Sequence, residues 1–420
     1  MSISVRRKKL IVIGGGAAGF FGAINAAEKN PNLDVTILEG SRRLLTKVKI
    51  SGGGRCNVTH SCFNPRDLVK NYPRGEKELL GPFSRFQPED TIAWYESRGV
   101  KLKTEQDGRM FPTTDNSDTI VKCLLSAAQK NDIQIKKGIL VKSVVFKDNH
   151  QFLVQTRDGE FIGDYLLLAT GSSPIGYAIA KKLGHEIIEP VPSLFTFQIK
   201  SPLINELMGL SFPEADLSML PHHADPQPKK KFKPFSFKGP VLITHWGLSG
   251  PAVLKLSAWG ARELAASNYK ASLTINWVNI SNKIIFQKIL DRKNNLPKQS
   301  PRTRTLDPLP KRFWLRLLDV VGVDESSCWS DMSHQKIQDL SNLITHTQLD
   351  IQGKGEFKEE FVTCGGVNLK EVDFRSMASK INPNLYFAGE ILNTDGITGG
   401  FNFQNAWTTS YIAAVHLSTL

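Results

Sequence analysis

Two short apolar runs open the chain, Leu10 to Ile13 and Val35 to Leu38, with a glycine turn and a helical stretch of small residues reaching Lys29 between them. Short continuous apolar runs bounded by turn residues read as buried strands, so this opening predicts strand, turn, helix, strand. Farther on, residues 83 to 100 predict one amphipathic helix with Phe83, Phe86, Ile92, Trp94 and Tyr95 on its apolar side. A strand and turn segment follows. Ser117 to Lys130 then predicts a helix whose apolar face carries Ile120, Val121, Leu124 and Leu125. Ile139 to Phe146, Gln151 to Gln155 and Phe161 to Leu168 predict three strands, with a turn at Asp158-Gly159.

The pattern changes at Pro190-Val191-Pro192. From Ser193 to about Trp277 it becomes short strands and turns: Leu194 to Ile199, Phe232 to Phe237, Val241 to Thr244 and Ser272 to Val278. A β-rich inserted domain, a small barrel, fits this pattern over residues 191–279, with a return near 350–360. Residues 280–349 turn helical and basic, and Phe313, Trp314, Leu315, Leu317 and Leu318 mark the core of a small helical subdomain. From Phe361 the first pattern resumes. A buried strand runs from Leu385 and ends on Ala388-Gly389-Glu390, and a glycine pair, Gly399-Gly400, leads into a final helix.

Composition narrows the class. At 420 residues the chain is too long for one compact core, and 40% hydrophobic with 22% charged residues is ordinary for a globular protein. Cys56, Cys62, Cys123, Cys328 and Cys364 form no CxxC pair and no metal-like spacing. That predicts a reducing, cytoplasmic setting with neither a zinc site nor a disulfide framework. The apolar run behind the basic N-terminus breaks at Gly14, which argues against a signal peptide or anchor, and no apolar stretch reaches the roughly 18 residues of a membrane span. A net charge of +13 admits nucleic acid or an anionic surface as a partner. The excess gathers at Arg6 to Lys9, at 228 to 238 and from Lys288 to Arg316. With no interleaved aromatic RNA motif, solvated basic faces are the favoured reading.

The chemistry concentrates in the glycine segments. Gly14 allows a tight turn, Gly16 lets backbone approach a pyrophosphate, and Gly19 lets the helix lie close on the strand. The first helical N–H groups, around Ala17 and Ala18, then face the phosphates. Glu39 ends the second strand, where a carboxylate accepts ribose hydroxyls and repels a 2′-phosphate. This is a dinucleotide fingerprint for FAD or NAD rather than NADP, and it does not separate the two. In the segment 47–57, Ser51, Gly52 and Gly53 make a loop able to lie flat against a large ligand, while Lys47 and Arg55 offer charge to a pyrophosphate and Cys56 and Asn57 follow directly. Arg109, beside Phe111 and Pro112, suits either a pocket wall or a structural turn. Ala169-Thr170-Gly171 at a strand end predicts a second cofactor contact. His245, next to Trp246, is the one weak catalytic candidate, with a packed structural role as the alternative and Trp246 expected in the core. Cys56 and Cys364 read as small buried hydrophobes. At the far end, Gly389, Glu390, Asp395, Gly399, Gly400, Phe401 and Asn402 predict the segment that closes the site.

These segments carry a family resemblance. KVKISGGGRCNVT at 47–59 resembles the signature of the bacterial BaiN-like flavoproteins, FAD-dependent oxidoreductases also called aminoacetone oxidase-like, whose usual form is close to GRKxxxSGGGRCNxTN. Leu45, Thr46 and His60 depart from that form. GRMFP at 108–112, THWGLSGPAVL at 244–254 and the stretch 388–404 also match, the last with Phe401 where the family has Tyr. The loop after Ala169-Thr170-Gly171 is shorter than in many relatives. The resemblance implies tightly bound FAD and an α/β fold: a split Rossmann-like FAD domain, 1–190 with 361–420, carrying the barrel-like insert and the helical subdomain. It further implies hydride transfer to or from flavin N5 on a small-molecule substrate held between the FAD domain and the insert, with NAD(P)H a candidate electron donor. The alternatives are an FAD-dependent RNA-modifying or RNA-binding protein, and a flavin-binding protein without turnover.

Overall fold

The computed structural model describes residues 6–222, 233–355 and 362–420. Residues 228–232 of the central basic run, Phe232 of the second predicted insert strand, residues 356–360 of the predicted return, and Phe361 lie outside the described residues. The chain divides into two compact units, Met1–Pro190 with Thr363–Leu420, and Val191–Val362.

The first unit is built on a seven-stranded sheet. Its order is Val372–Asp373, Ala378–Ser379, Leu385–Phe387, Tyr165–Leu168, Lys8–Ile13, Leu33–Glu39, Gln134–Lys137. The last five are mutually parallel. Leu10 to Ile13 and Tyr165 to Leu168 are buried throughout, as strands covered on both faces must be. Strands from the start, middle and end of the chain lie side by side here, and this register is the physical content of a split domain. The helix Ala17–Lys29 packs on the C-terminal helix Phe401–Leu417. A Cβ on Gly22 would lie 2.8 Å from a Leu167 methyl and 3.3 Å from Ser410 Cβ, so the bare backbone lets the helix touch sheet and partner helix at once.

Two predicted elements are broken. Phe161 to Leu168 is two strands: Glu160–Gly163 joins an antiparallel three-stranded sheet with Val141–Phe146 and Phe152–Thr156, while Tyr165–Leu168 enters the parallel sheet. The switch falls at Asp164, whose carboxylate accepts the Lys9 N–H (2.8 Å) and the Gln151 amide (2.9 Å). The helix expected over 83–100 is shorter, Pro88–Glu96, and Phe83 instead ends a preceding helix, Glu76–Phe83. Pro88–Glu96 starts afresh because the Gln87 N–H is capped by Asp90 (2.7 Å) and Pro88 takes the first helical position. The helix expected from Ser117 runs Asp118–Lys130.

In the second unit the strands are, in order, Thr347–Ile351, Ala271–Asn276, Ser211–Pro221, Phe235–Ile243, Gly247–Ser249, Phe197–Gln198 and Gly353–Lys354. The first and last are successive stretches of one extended passage, and at its break the Gln352 N–H donates to the Gln198 carbonyl (2.9 Å). The sheet therefore returns on itself as a barrel. Ser211–Pro221 is a long strand that the sequence reading passed over. Its buried set, Phe212, Ala215, Leu217 and Met219, falls out of strict alternation because a bulge lies between Phe212 and Ala215. The separate strands expected either side of Gly239-Pro240 are one, Phe235–Ile243. Helices Asn282–Asn295, Lys311–Val320 and His334–Thr345 share the barrel's core: the Phe313 ring lies 4.9 Å from Phe212 and 4.8 Å from Trp277.

Candidate functional site

In the first unit the strand Lys8–Ile13 ends at Gly14, which sits at φ +115 with its N–H on the Leu38 carbonyl (2.9 Å). A Cβ there would be 2.3 Å from the Ala169 carbonyl oxygen, and one on Gly19 would be 1.9 Å from the Gly14 carbonyl oxygen. Both glycines are fixed by close backbone approach. Gly16 differs: its Cβ direction meets nothing within 4 Å. It caps the helix that begins at Ala17 and Ala18, whose first turn has no acidic residue and no side-chain cap. An open glycine before an uncapped helix N-terminus is a cradle for an anion of pyrophosphate size. Glu39 turns back toward this turn, its two oxygens accepting the Gly15 N–H and the Ser41 N–H, each at 2.7 Å. Each carboxylate oxygen can accept a further bond, so hydroxyl recognition stays compatible with this arrangement.

A second cluster joins three remote segments. Lys47 donates to Glu390 (2.6 Å) and to Ser172 (3.3 Å), while the other Glu390 oxygen accepts the Thr363 N–H (3.2 Å). A Cβ on Gly171 would lie 3.5 Å from Glu390. Thr170 beside it holds a buried hydroxyl without a hydrogen-bond partner among the described residues. Lys47, expected to meet a pyrophosphate directly, is thus an ion-pair partner of the Gly389-Glu390 segment.

The third cluster ties the loop at 51–57 to the C-terminal helix. Ser51 is extended, and Gly52, Gly53 and Gly54 have positive φ, with open space beside the last two. Assigned from its neighbours, with nitrogen toward the Thr59 carbonyl and oxygen toward Gly400, the Asn57 amide donates to the former and accepts the Gly400 N–H, both at 3.0 Å. Two further bonds hold the same junction, Thr59 hydroxyl to Gln404 (2.6 Å) and Trp407 indole N–H to the Val58 carbonyl (2.9 Å). Gly400, at φ +93, would drive a Cβ to 2.5 Å from the Thr59 carbonyl oxygen. Asn402 exchanges two hydrogen bonds with Gly396 (2.8 and 2.9 Å), which fixes the loop before the helix. The loop at 51–57 and the start of helix Phe401–Leu417 are therefore one structure.

Two residues here were absent from the sequence reading. Arg74 holds the fully buried Asp395 through Nε to Oδ1 (2.5 Å) and a second, parallel contact from Nη2 to Oδ2. Tyr72, also buried, donates to the Phe401 carbonyl (2.6 Å) and sets its ring edge-on to the Phe401 ring. They lie in a turn-rich stretch without periodicity, and only the Asn-Tyr-Pro-Arg-Gly run itself hints at a fixed turn.

Arg55 does not face the glycine turn. Its guanidinium pairs with Glu105 (2.6 Å) and Asp115 (3.4 Å) and stacks 4.0 Å from the centre of the Phe111 ring. Arg109 joins the same network through Glu105 (3.1 Å) and Asp107 (2.7 Å). Cys56 is wholly buried, and burial pushes its thiol up to about 12, which makes it a poor nucleophile at neutral pH. Cys364 is buried as well, and none of the five cysteines is in a disulfide. His245, in the second unit, is exposed, and Trp246 beside it is 53% exposed rather than in the core, at a turn closed by the Thr244 N–H on the Gly247 carbonyl (2.8 Å). Among the described residues no cluster of His, Cys, Asp and Glu is arranged to hold a metal ion, and no helix is long and apolar enough to cross a membrane.

A parallel sheet assembled from both ends of the chain, with an anion cradle at one glycine turn and a second glycine pair fastened to a remote loop, defines an FAD-dependent oxidoreductase of the Rossmann type. The chain belongs to the family of the HI0933-like protein Rossmann domain, whose profile matches residues 8–416. The chain is 27% identical to a ribosomal RNA dihydrouridine synthase of Haemophilus influenzae, over 97% of this chain and 98% of that one. It is 26% identical to a 3-dehydro-bile acid delta(4,6)-reductase of Clostridium scindens, over 96% and 97% respectively. The family match and these likenesses agree with the resemblance of its motifs to the BaiN-like flavoproteins. In fold it is similar to a 3-ketosteroid-delta4-(5alpha)-dehydrogenase from Rhodococcus jostii RHA1, with a TM-score of 0.50 at 12% identity, covering 99% of this chain and 98% of that one. The residues present fit FAD: an open anion cradle, a strand-end carboxylate with acceptor capacity left over and an orphaned buried hydroxyl at Thr170 all lie in the first unit.

Proposed function

We propose that this protein moves a hydride between FAD and a carbon–carbon double bond conjugated to a carbonyl in a small organic substrate, in the direction of reduction. The observation that supports the proposal is the fastening of helix Phe401–Leu417 to the segment that follows the glycine loop, through Thr59–Gln404 and Trp407–Val58 with the Asn57 amide facing Gly400. When bound, the flavin supplies hydride chemistry at N5. The chain's own residues supply binding and field. The uncapped N-terminus at Gly16 and Ala17 takes the pyrophosphate, Glu39 takes ribose, and the N–H groups after Gly400 favour negative charge gathering at the ring. Support for the substrate class comes from the relatives, since a dihydrouridine synthase and a delta(4,6)-reductase both add hydrogen across a double bond.

The test is anaerobic. NADH or NADPH should bleach the flavin band, and a cyclic enone should then restore it. Reduced protein that no conjugated double bond reoxidises, but that dioxygen does, would turn the assignment to an oxidase. A second reading, reduction of a base within RNA, is favoured by the +13 charge and by the name of the Haemophilus relative. It requires RNA binding that weakens steeply with salt and reoxidation by a uridine-containing transcript but not by free enones.

A further inference from the structure

His60 stands where the family signature has Asn, and nothing so far gives it a task. Its ring is stacked on Phe401, centroids 4.7 Å apart and planes within 21°. Phe401 is the first residue of the closing helix and is itself buried. On the other side, Nε2 lies 3.1 Å from the Asp107 carbonyl, an acceptor only, so Nε2 carries the proton and the tautomer is set. Two glycines from separate motifs make room for the imidazole. A Cβ on Gly108 would lie 2.4 Å from His60 Cε1, and one on Gly399 3.4 Å from Cδ2. In the short β-ladder His60 is opposite Arg109, which is paired with Asp107 and Glu105. Across Phe401 lie the Tyr72 hydroxyl and, farther along the loop, the Arg74–Asp395 pair. A packed aromatic wall would be served by any ring. This position instead holds an ionisable one, with two glycines beside it at the start of helix Phe401–Leu417.

We propose that His60 is a positioning residue of the flavin site: its ring braces Phe401 and the first turn of the closing helix, and its ionisation is felt by the bound flavin as a pH-dependent positive field. The inference rests on the reading that the closing helix begins beside the flavin ring. A neutral imidazole contributes the stacking alone, and the protonated form adds a cation at a helix N-terminus that already favours negative charge.

Two substitutions separate these roles in the full-length holoprotein. His60→Phe keeps a ring against Phe401 and removes the ionisation, while His60→Asn, the residue of the family signature, removes both. FAD affinity is measured by recovery of flavin fluorescence on dilution, and the flavin midpoint potential by dye equilibration from about pH 5.5 to about 8.5. H60F is expected to bind FAD as the parent does, and H60N about two- to tenfold more weakly, the loss of one aromatic stack. Both should lack an inflection in the pH profile of the potential that the parent shows in the imidazole range. A parent profile without that inflection, or one that persists in H60F, overturns the proposal. A parent protein that takes up no FAD overturns the site reading as well, which distinguishes the two failures.

Discussion

Asn57 shows how much one side chain can hold. Its amide satisfies the Thr59 carbonyl and the Gly400 N–H together, joining residues far apart in sequence. Asn57→Ala removes both bonds and leaves Gly400 at an unfastened helix start. A loss of about 1–3 kcal/mol of stability is expected in urea unfolding, together with weaker FAD retention on gel filtration. Unchanged values for both would show that the junction is held by Thr59–Gln404 and Trp407–Val58 instead. Cys56 yields a second expectation. With its thiol pushed up to about 12 by burial, it should resist alkylation at pH near 8 in the native protein and react once denaturant is added. Peptide mass mapping of the labelled cysteines checks this, and rapid native labelling of Cys56 would contradict it. That Asn57 and Cys56 belong to a fixed loop was legible because they follow three glycines. That Arg55, just before them, turns to Glu105 was not legible, since the partner comes from a distant hairpin.

At the scale of elements, the edge of the parallel sheet holds a buried histidine in a polar triad. His185 Nδ1 lies 3.1 Å from Glu371, and Nε2 lies 2.9 Å from the Ser379 hydroxyl. The Ser379 oxygen also accepts the Ile381 and Asn382 N–H groups (3.0 and 2.8 Å), so it donates its own proton to Nε2 and His185 is held neutral. Burial lowers the imidazole below its ordinary value, with Glu371 pulling in the other direction. The unfolded chain therefore binds the proton more readily than the native one. The stability His185 contributes is complete above an unfolded value of about 6.5 and is lost as pH falls from there through the lowered native value. Urea titrations at stepped pH should show that loss, and His185→Gln should flatten it. No periodicity marks this element, because its strands are two residues long. The same limit hid the break at Asp164 and the second helix start at Pro88, where single capping bonds outweigh a continuous apolar pattern.

For the whole molecule, binding linkage gives the broadest test. FAD that binds the native first unit and not the unfolded chain should raise its stability by about 2.7 kcal/mol at a free concentration 100 times the dissociation constant. Thermal unfolding with graded FAD measures it, and a midpoint indifferent to FAD would count against the cradle at Gly16. The fold class and cofactor were written in the sequence, because the glycines at 14, 19 and 400 stand where any Cβ would meet a carbonyl oxygen within 2.5 Å, a constraint that local motif spacing records directly. The barrel left a fainter trace, since its closure depends on one passage, Thr347–Lys354, pairing at both ends. The sequence by itself determined which backbone positions must be bare and which strands must be buried, through sterics and hydrophobic period. Only the tertiary structure decided where the charges went, giving Lys47 to Glu390, Arg55 to Glu105 and Asp395 to Arg74, because an ion pair is chosen by proximity among residues that the chain order keeps far apart.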